Sequence, residues 1–181
     1  MASNFPTPKL VKGGCLCGAL RYQVNFPADH DFIASSSTCQ CTQCRKQTAS
    51  LFLLSHNAPD AAFQLTGDLS ALKHFNASPS AERGFCSQCG SFLYWRPKNR
   101  PNPYYCFTVG TVDPLYLFGE GADGVETGGQ DEPVPKGGYG VALASGQGHH
   151  YYCANEIPGV TDNIPLLGLG GKGGTRFQGD D

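Results

Sequence analysis

The sequence predicts a mainly β protein, and three observations lead there. Glycine and proline supply 24 and 13 of 181 residues, about one residue in five, and both interrupt helices and build turns. Charged residues make up only 15% of the chain, against roughly a quarter in an ordinary globular domain. Apolar and polar residues alternate over several short runs, and nowhere do apolar residues recur at helical spacing over a long window.

Residues 1–12 read as a flexible lead with two prolines. From 19 to 26, Leu20, Tyr22, Val24 and Phe26 fall on one face of a strand and Arg21, Gln23 and Asn25 on the other. Residues 32–38, 62–66, 72–76, 92–96 and 104–110 are further strand candidates, each bounded by turn-forming Gly, Pro, Asn, Asp or Ser. The best short helix is 42–50, with Thr42 as its cap. Short alternating strands of this kind pack as a two-sheet core, which places 13–181 in a single domain. Residues 119–140 hold eight glycines, two prolines and five acids and have little to bury, so they read as a long surface loop. The Gly-rich stretch 168–181 reads as a surface tail.

A formal charge of −2 disfavours the broad basic surface that drives nucleic-acid binding. No run approaches the ~18 apolar residues of a membrane helix, and the first residues lack the apolar core of a secretory signal. The expected setting is therefore cytoplasmic, with no nucleic acid or membrane as partner and a second copy of the chain left open as one. In that setting nine cysteines point to metal before disulfides.

Seven of the nine lie in three clusters: Cys15-Leu16-Cys17-Gly18, Cys39-Gln40-Cys41-Thr42-Gln43-Cys44, and Cys86-Ser87-Gln88-Cys89-Gly90. In CxC on extended chain both thiols share a face. In CxxC followed by Gly, a tight turn brings two thiols toward one ion and Gly takes the positive φ the turn needs. The division favoured is four plus three. Cys15, Cys17, Cys86 and Cys89 would close a structural zinc site. Cys39, Cys41 and Cys44 would hold a second zinc with one position open to water or a thiol, as catalytic sites do. A ribbon pairing of Cys41 and Cys44 with Cys86 and Cys89 is an alternative, as are disulfides. Cys106 and Cys153 read as core.

These residues resemble a known family. Gly14-Cys15-Leu16-Cys17-Gly18 with Tyr22, then Cys39 through Cys44 with Arg45 and Lys46, then Arg83 before Phe85-Cys86-Ser87-Gln88-Cys89-Gly90-Ser91, and Val109-Gly110-Thr111 with Asp113 are similar to the glutathione-dependent formaldehyde-activating enzymes and their centromere protein V relatives. The resemblance implies an Mss4-like fold of several twisted antiparallel sheets, two zinc ions per chain divided as above, and glutathione as co-substrate. It implies a carbon–sulfur lyase or synthase that joins glutathione to a small electrophile such as formaldehyde or acts on a glutathione adduct. The same chemistry turned to a specialised metabolite, and a non-catalytic zinc-stabilised binding module, are the other classes.

Cys39, Cys41 and Cys44 are accordingly the candidate catalytic residues. Arg45 and Lys46 are candidates to bind a glutathione carboxylate, and Thr48 to hydrogen-bond substrate. His149 and His150 are further candidates for proton transfer; adjacent strand residues point oppositely, so at most one would face a site.

Overall fold

The computed structural model describes residues 5–122, 137–167 and 174–179. Eleven strands are defined there: β1 (Leu10–Gly14), β2 (Leu20–Asn25), β3 (Ser36–Cys39), β4 (Leu53–Pro59), β5 (Phe63–Gly67), β6 (Leu72–Ser78), β7 (Ala81–Cys86), β8 (Phe92–Pro97), β9 (Tyr104–Thr108), β10 (His149–Tyr151) and β11 (Thr175–Arg176). Four short helices join them: α1 (Phe32–Ser35), α2 (Thr42–Thr48), α3 (Pro114–Phe118) and α4 (Gly140–Leu143). The strands form a 3-stranded sheet, β1-β2-β5, and an 8-stranded sheet, β11-β10-β3-β4-β9-β8-β7-β6. Pairing is antiparallel except that β10 runs parallel to both β3 and β11. The mainly β, two-sheet expectation holds. No helix among the described residues is long and apolar enough to cross a membrane.

The alternation read over 19–26 is β2, whose Leu20, Tyr22 and Val24 are all buried. Three local expectations are corrected. Residues 10–12, placed in the flexible lead, belong to β1 (Leu10–Gly14), because Val11 is fully buried and the strand pairs with β2 along its whole length. Residues 32–38 do not make one strand. The Asp31 carboxylate accepts hydrogen bonds from the Ile33 and Ala34 N–H groups, both at 3.0 Å, and so starts α1 before the chain extends into β3. Helix α2 is capped by the Cys41 sulfur rather than by Thr42. Much of the 119–140 loop and of the 168–181 tail lies outside the described residues.

Strands β4 and β7 escape the alternation test because each carries a polar residue at a buried position, His56 in β4 and Arg83 in β7. The sheets face each other across an aromatic core. Fully buried Phe107 on β9 lies with its ring 5.9 Å from Tyr22 and 6.2 Å from Phe63. Tyr22 keeps its hydroxyl satisfied on Thr111 Oγ1 at 2.9 Å.

His56 sits in this core with no solvent exposure. Its Nδ1 lies 3.2 Å from the Leu143 carbonyl, which only accepts, so Nδ1 carries the proton. Nε2 therefore accepts from His30 Nε2 at 3.0 Å. Burial, then repulsion from His30, pushes the His56 pKa down from 6.5 to about 3. Between those values the unfolded chain binds a proton that folded His56 refuses, so stability is complete above pH 6.5 and falls as the pH drops. His56→Phe is expected to remove about 1.4 kcal/mol per pH unit from the acid-side slope of stability. Urea midpoints from pH 7 to pH 4 check this, and parallel slopes in parent and variant would refute it.

Candidate metal centres

Two clusters of thiols form among the described residues, Cys15, Cys17, Cys86 and Cys89 in one and Cys39, Cys41 and Cys44 in the other; within each, the Sγ atoms lie within 4.8 Å of one another. All nine cysteines are free thiols.

The first cluster is built from two like turns. Cys15 leaves β1 and Gly18, at φ 77°, donates its N–H to the Cys15 carbonyl at 3.0 Å. Cys86 ends β7 and Gly90, at φ 78°, repeats that bond at 2.8 Å. Only Gly takes such a φ without strain. A hydrogen bond from Leu16 N–H to Ser91 Oγ at 3.0 Å ties the turns together. The Cys15–Cys17 and Cys17–Cys86 sulfur distances are 3.5 and 3.8 Å. Four thiolates around zinc at Zn–S of ~2.3 Å would stand ~3.8 Å apart along the edges of a tetrahedron, so the donor set fits that ion. Burial works against the Cys89 thiolate, yet hydrogen bonds from the Ser91 hydroxyl and backbone hold its pKa down to about 5.

The second cluster lies where β3 turns into α2. Cys39 is the last residue of β3, Cys41 caps α2, and Cys44 occupies its first turn. Cys44 N–H donates to Cys41 Sγ at 3.3 Å. Leu53, Phe92 and Trp95 pack around these thiols. Cys44 is buried, while Cys39 and Cys41 are half-exposed, so the cluster opens to one side. Hydrogen bonds from Cys39 and Cys44 hold the Cys41 pKa down to about 2, and the bond to Cys41 pushes Cys39 up. Crowding thus sets the three thiols against one another, so that ionising one limits ionising the next. A dication removes that limit, because its own charge offsets the repulsion among three thiolates. The donor chemistry therefore fits a metal here as well, with three protein ligands.

The remaining candidates are placed as follows. Arg45 Nη1 donates to the Asn155 carbonyl at 3.3 Å. Thr48 Oγ1 donates back to the Cys44 carbonyl at 2.8 Å, which closes the helix. Lys46 instead lines a cavity of about 280 Å³ with Gln43, Gln47, Phe75, Ala77 and Arg83. His150 is buried between Thr38 Oγ1 at 2.7 Å and the Gly146 carbonyl at 2.9 Å. His149 Nδ1 donates to the Ala34 carbonyl at 2.9 Å. Neither histidine ring has a cysteine among these partners. Cys153 is buried as core. Cys106, half-buried, donates to Asn57 Oδ1 at 2.8 Å.

Two residues emerge that composition and spacing do not single out. Gln40 is 1% exposed, and neither its amide oxygen nor its amide nitrogen has a partner. Arg83 is 4% exposed and its Nη2 donates to Gln43 Oε1 at 2.7 Å, but its Nε and Nη1 have no partner. The only sequence signal for Arg83 is its position just before the third cysteine pair; Gln40 has none beyond lying between two cysteines.

Comparison with known proteins bears on the whole arrangement. A provisionally named glutathione-dependent formaldehyde-activating enzyme of Emericella nidulans is 28% identical over 92% of this chain and 75% of its own length. An uncharacterized lyase of Schizosaccharomyces pombe is 31% identical over 52% of this chain, which spans 63% of that protein. A Rhodobacter sphaeroides protein of known crystal structure matches 55% of this chain and 85% of its own with a TM-score of 0.45 and 23% identity. The family profile described as glutathione-dependent formaldehyde-activating enzyme matches residues 10–123, from β1 through α3 and across all seven clustered cysteines. With that match over most of its length, the chain belongs to the glutathione-dependent formaldehyde-activating enzyme family.

Proposed function

We propose that this protein is a zinc-dependent carbon–sulfur lyase or synthase that joins glutathione to a small electrophile such as formaldehyde, or releases it from such an adduct. The observation that carries this reading is the difference between the two thiol clusters. Four thiols that link two turns satisfy a metal completely. Three thiols at the mouth of a helix, two of them half-exposed, leave a position for something else. A pure scaffold has no use for that position.

Cys39, Cys41 and Cys44 would hold the second zinc, which when bound supplies Lewis acidity and a site that favours the thiolate form of an incoming thiol. The protein's own groups do the rest. The Cys44 N–H fixes the Cys41 sulfur at the start of α2. Leu53, Phe92 and Trp95 exclude water from the inner side, which strengthens every charge interaction there. The Thr48 hydroxyl and the Arg45 guanidinium anchor α2 and its neighbour Asn155 rather than reaching the open side. Residues 13–181, with Leu10–Lys12 of β1 added, are taken as one domain that carries both centres.

The test incubates zinc-loaded protein with glutathione and a panel of aldehydes and other electrophiles, with adducts followed by mass spectrometry. Turnover with at least one electrophile, and close to two zincs per chain by metal analysis, are expected. Two zincs with neither turnover nor glutathione binding would favour a binding module.

A further inference from the structure

Arg83 is a buried cation that acts by charge on the Cys44 thiol of the open cluster. It lies on β7, 4% exposed, and no carboxylate among the described residues forms an ion pair with it. Its one hydrogen-bond partner is the neutral amide oxygen of Gln43. Two further nitrogens, Nε and Nη1, are buried without any. Burying a guanidinium this way is costly unless an anion completes it. Glu82, the acid next to it in sequence, is turned to Arg96 instead, at 3.6 Å.

Gln43 is an exposed side chain on the first turn of α2, between Cys41 and Cys44. It covers Arg83 from the cavity that Arg83, Lys46 and Phe75 line, about 280 Å³ in volume. Register opposes Arg83 to Trp95 on β8, and Trp95 packs against the Cys39–Cys41–Cys44 cluster. Two residues of the cavity lining, Gln43 and Arg83, thus stand next to the thiol cluster, one in sequence and one by its charge on Cys44, and the lining presents two cations, one buried and one exposed. An exposed amide, able to turn outward, is the neutral stand-in for what the buried cation lacks.

We propose that Arg83 and Lys46 form the carboxylate subsite of the thiol co-substrate, with Gln43 as a displaceable cover. An entering carboxylate replaces the Gln43 amide on Arg83, gains charge-assisted and two-pronged hydrogen bonding there, and draws Lys46 to its outer oxygen. This seats the peptide beside the cysteine cluster. The proposal rests on the reading that glutathione is the co-substrate.

Calorimetric binding to the zinc-loaded protein tests it with four ligands: glutathione, S-methylglutathione, the glycine-carboxylate monoethyl ester of glutathione, and its diester. S-methylglutathione has no free thiol, so its affinity reports the peptide subsite rather than a sulfur–metal bond. The parent should bind glutathione at least 10-fold more tightly than the diester, both of which keep the thiol, should still bind S-methylglutathione measurably, and the monoester identifies which carboxylate matters. Arg83→Gln should abolish this preference, and Lys46→Ala should reduce it severalfold. Gln43→Glu supplies an internal carboxylate. It should raise the thermal midpoint while it too abolishes the preference, which separates lost binding from lost folding. If the parent binds acid and diester alike, or the preference survives in both Arg83→Gln and Gln43→Glu, the subsite is refuted while the glutathione reading stands. If none of the four ligands binds and no adduct forms, that reading fails and the subsite falls with it.

Discussion

Cys86→Ser is expected to unfold the protein. Cys86 has no solvent exposure and ends β7 in the 8-stranded sheet, whereas Cys15 and Cys17 follow β1 in the 3-stranded sheet. Cys17 and Cys86 are 69 residues apart in sequence with their sulfurs at 3.8 Å. A metal held by this cluster is thus a clamp between the two sheets at one edge of the core. Structural zinc in small domains is worth about 10–16 kcal/mol of apparent binding energy. Whole domains are stable by only about 5–15 kcal/mol. Losing one of four thiolates, with a serine left in a fully buried position, removes more than the fold has to spare. The variant should lose its near-ultraviolet circular dichroism and its cooperative urea transition, and a chelator should do the same to the parent. A Cys86→Ser protein that unfolds cooperatively within about 1 kcal/mol of the parent would show that this cluster does not hold the fold.

Cys41→Ser, by contrast, should give a folded and inactive protein. Cys41 does two jobs that the structure separates: its sulfur caps α2 by accepting the Cys44 N–H, and it is one of three clustered thiols. Serine is among the best helix caps, so its hydroxyl inherits the first job. It does not inherit the second, because a serine hydroxyl stays protonated where a thiol ionises. Even groups one shell out from a metal cost 10–100-fold when removed. Loss of a direct ligand should therefore lower kcat/KM for adduct formation by at least about 100-fold. The thermal midpoint should move by no more than about 4 °C, the shift that about 1 kcal/mol produces at this size. Metal analysis should fall from two zincs toward one. If Cys41→Ser and Cys86→Ser unfold the chain equally, the division of labour between the clusters is wrong.

The two variants should differ because the clusters differ in reach. Cys39, Cys41 and Cys44 lie on one continuous strand-to-helix segment, so their loss frees nothing distant. The other four tie separate sheets. The Arg83 subsite makes the same point about function, since its two cations come from β7 and from α2, elements that are not neighbours in sequence.

What the sequence by itself determined is local. The period-two alternation of Leu20, Tyr22 and Val24 sets a strand with one buried face. CxC and CxxC-Gly spacing sets turns whose thiols converge, because backbone geometry over three or four residues leaves few alternatives. The tertiary structure decided what depends on partners far along the chain. Val11 was lost in a Pro-containing lead until pairing with β2 buried it. His56 and Arg83 broke the apolar pattern of β4 and β7, and only the packed fold supplies His30 to the one and Gln43 to the other. Arg45 and Lys46, adjacent and alike in sequence, part company in space, one bound to the Asn155 carbonyl and the other lining the cavity with Arg83. Successive residues on a helix point about 100° apart, and what each direction meets is set by strand order, which no local spacing encodes.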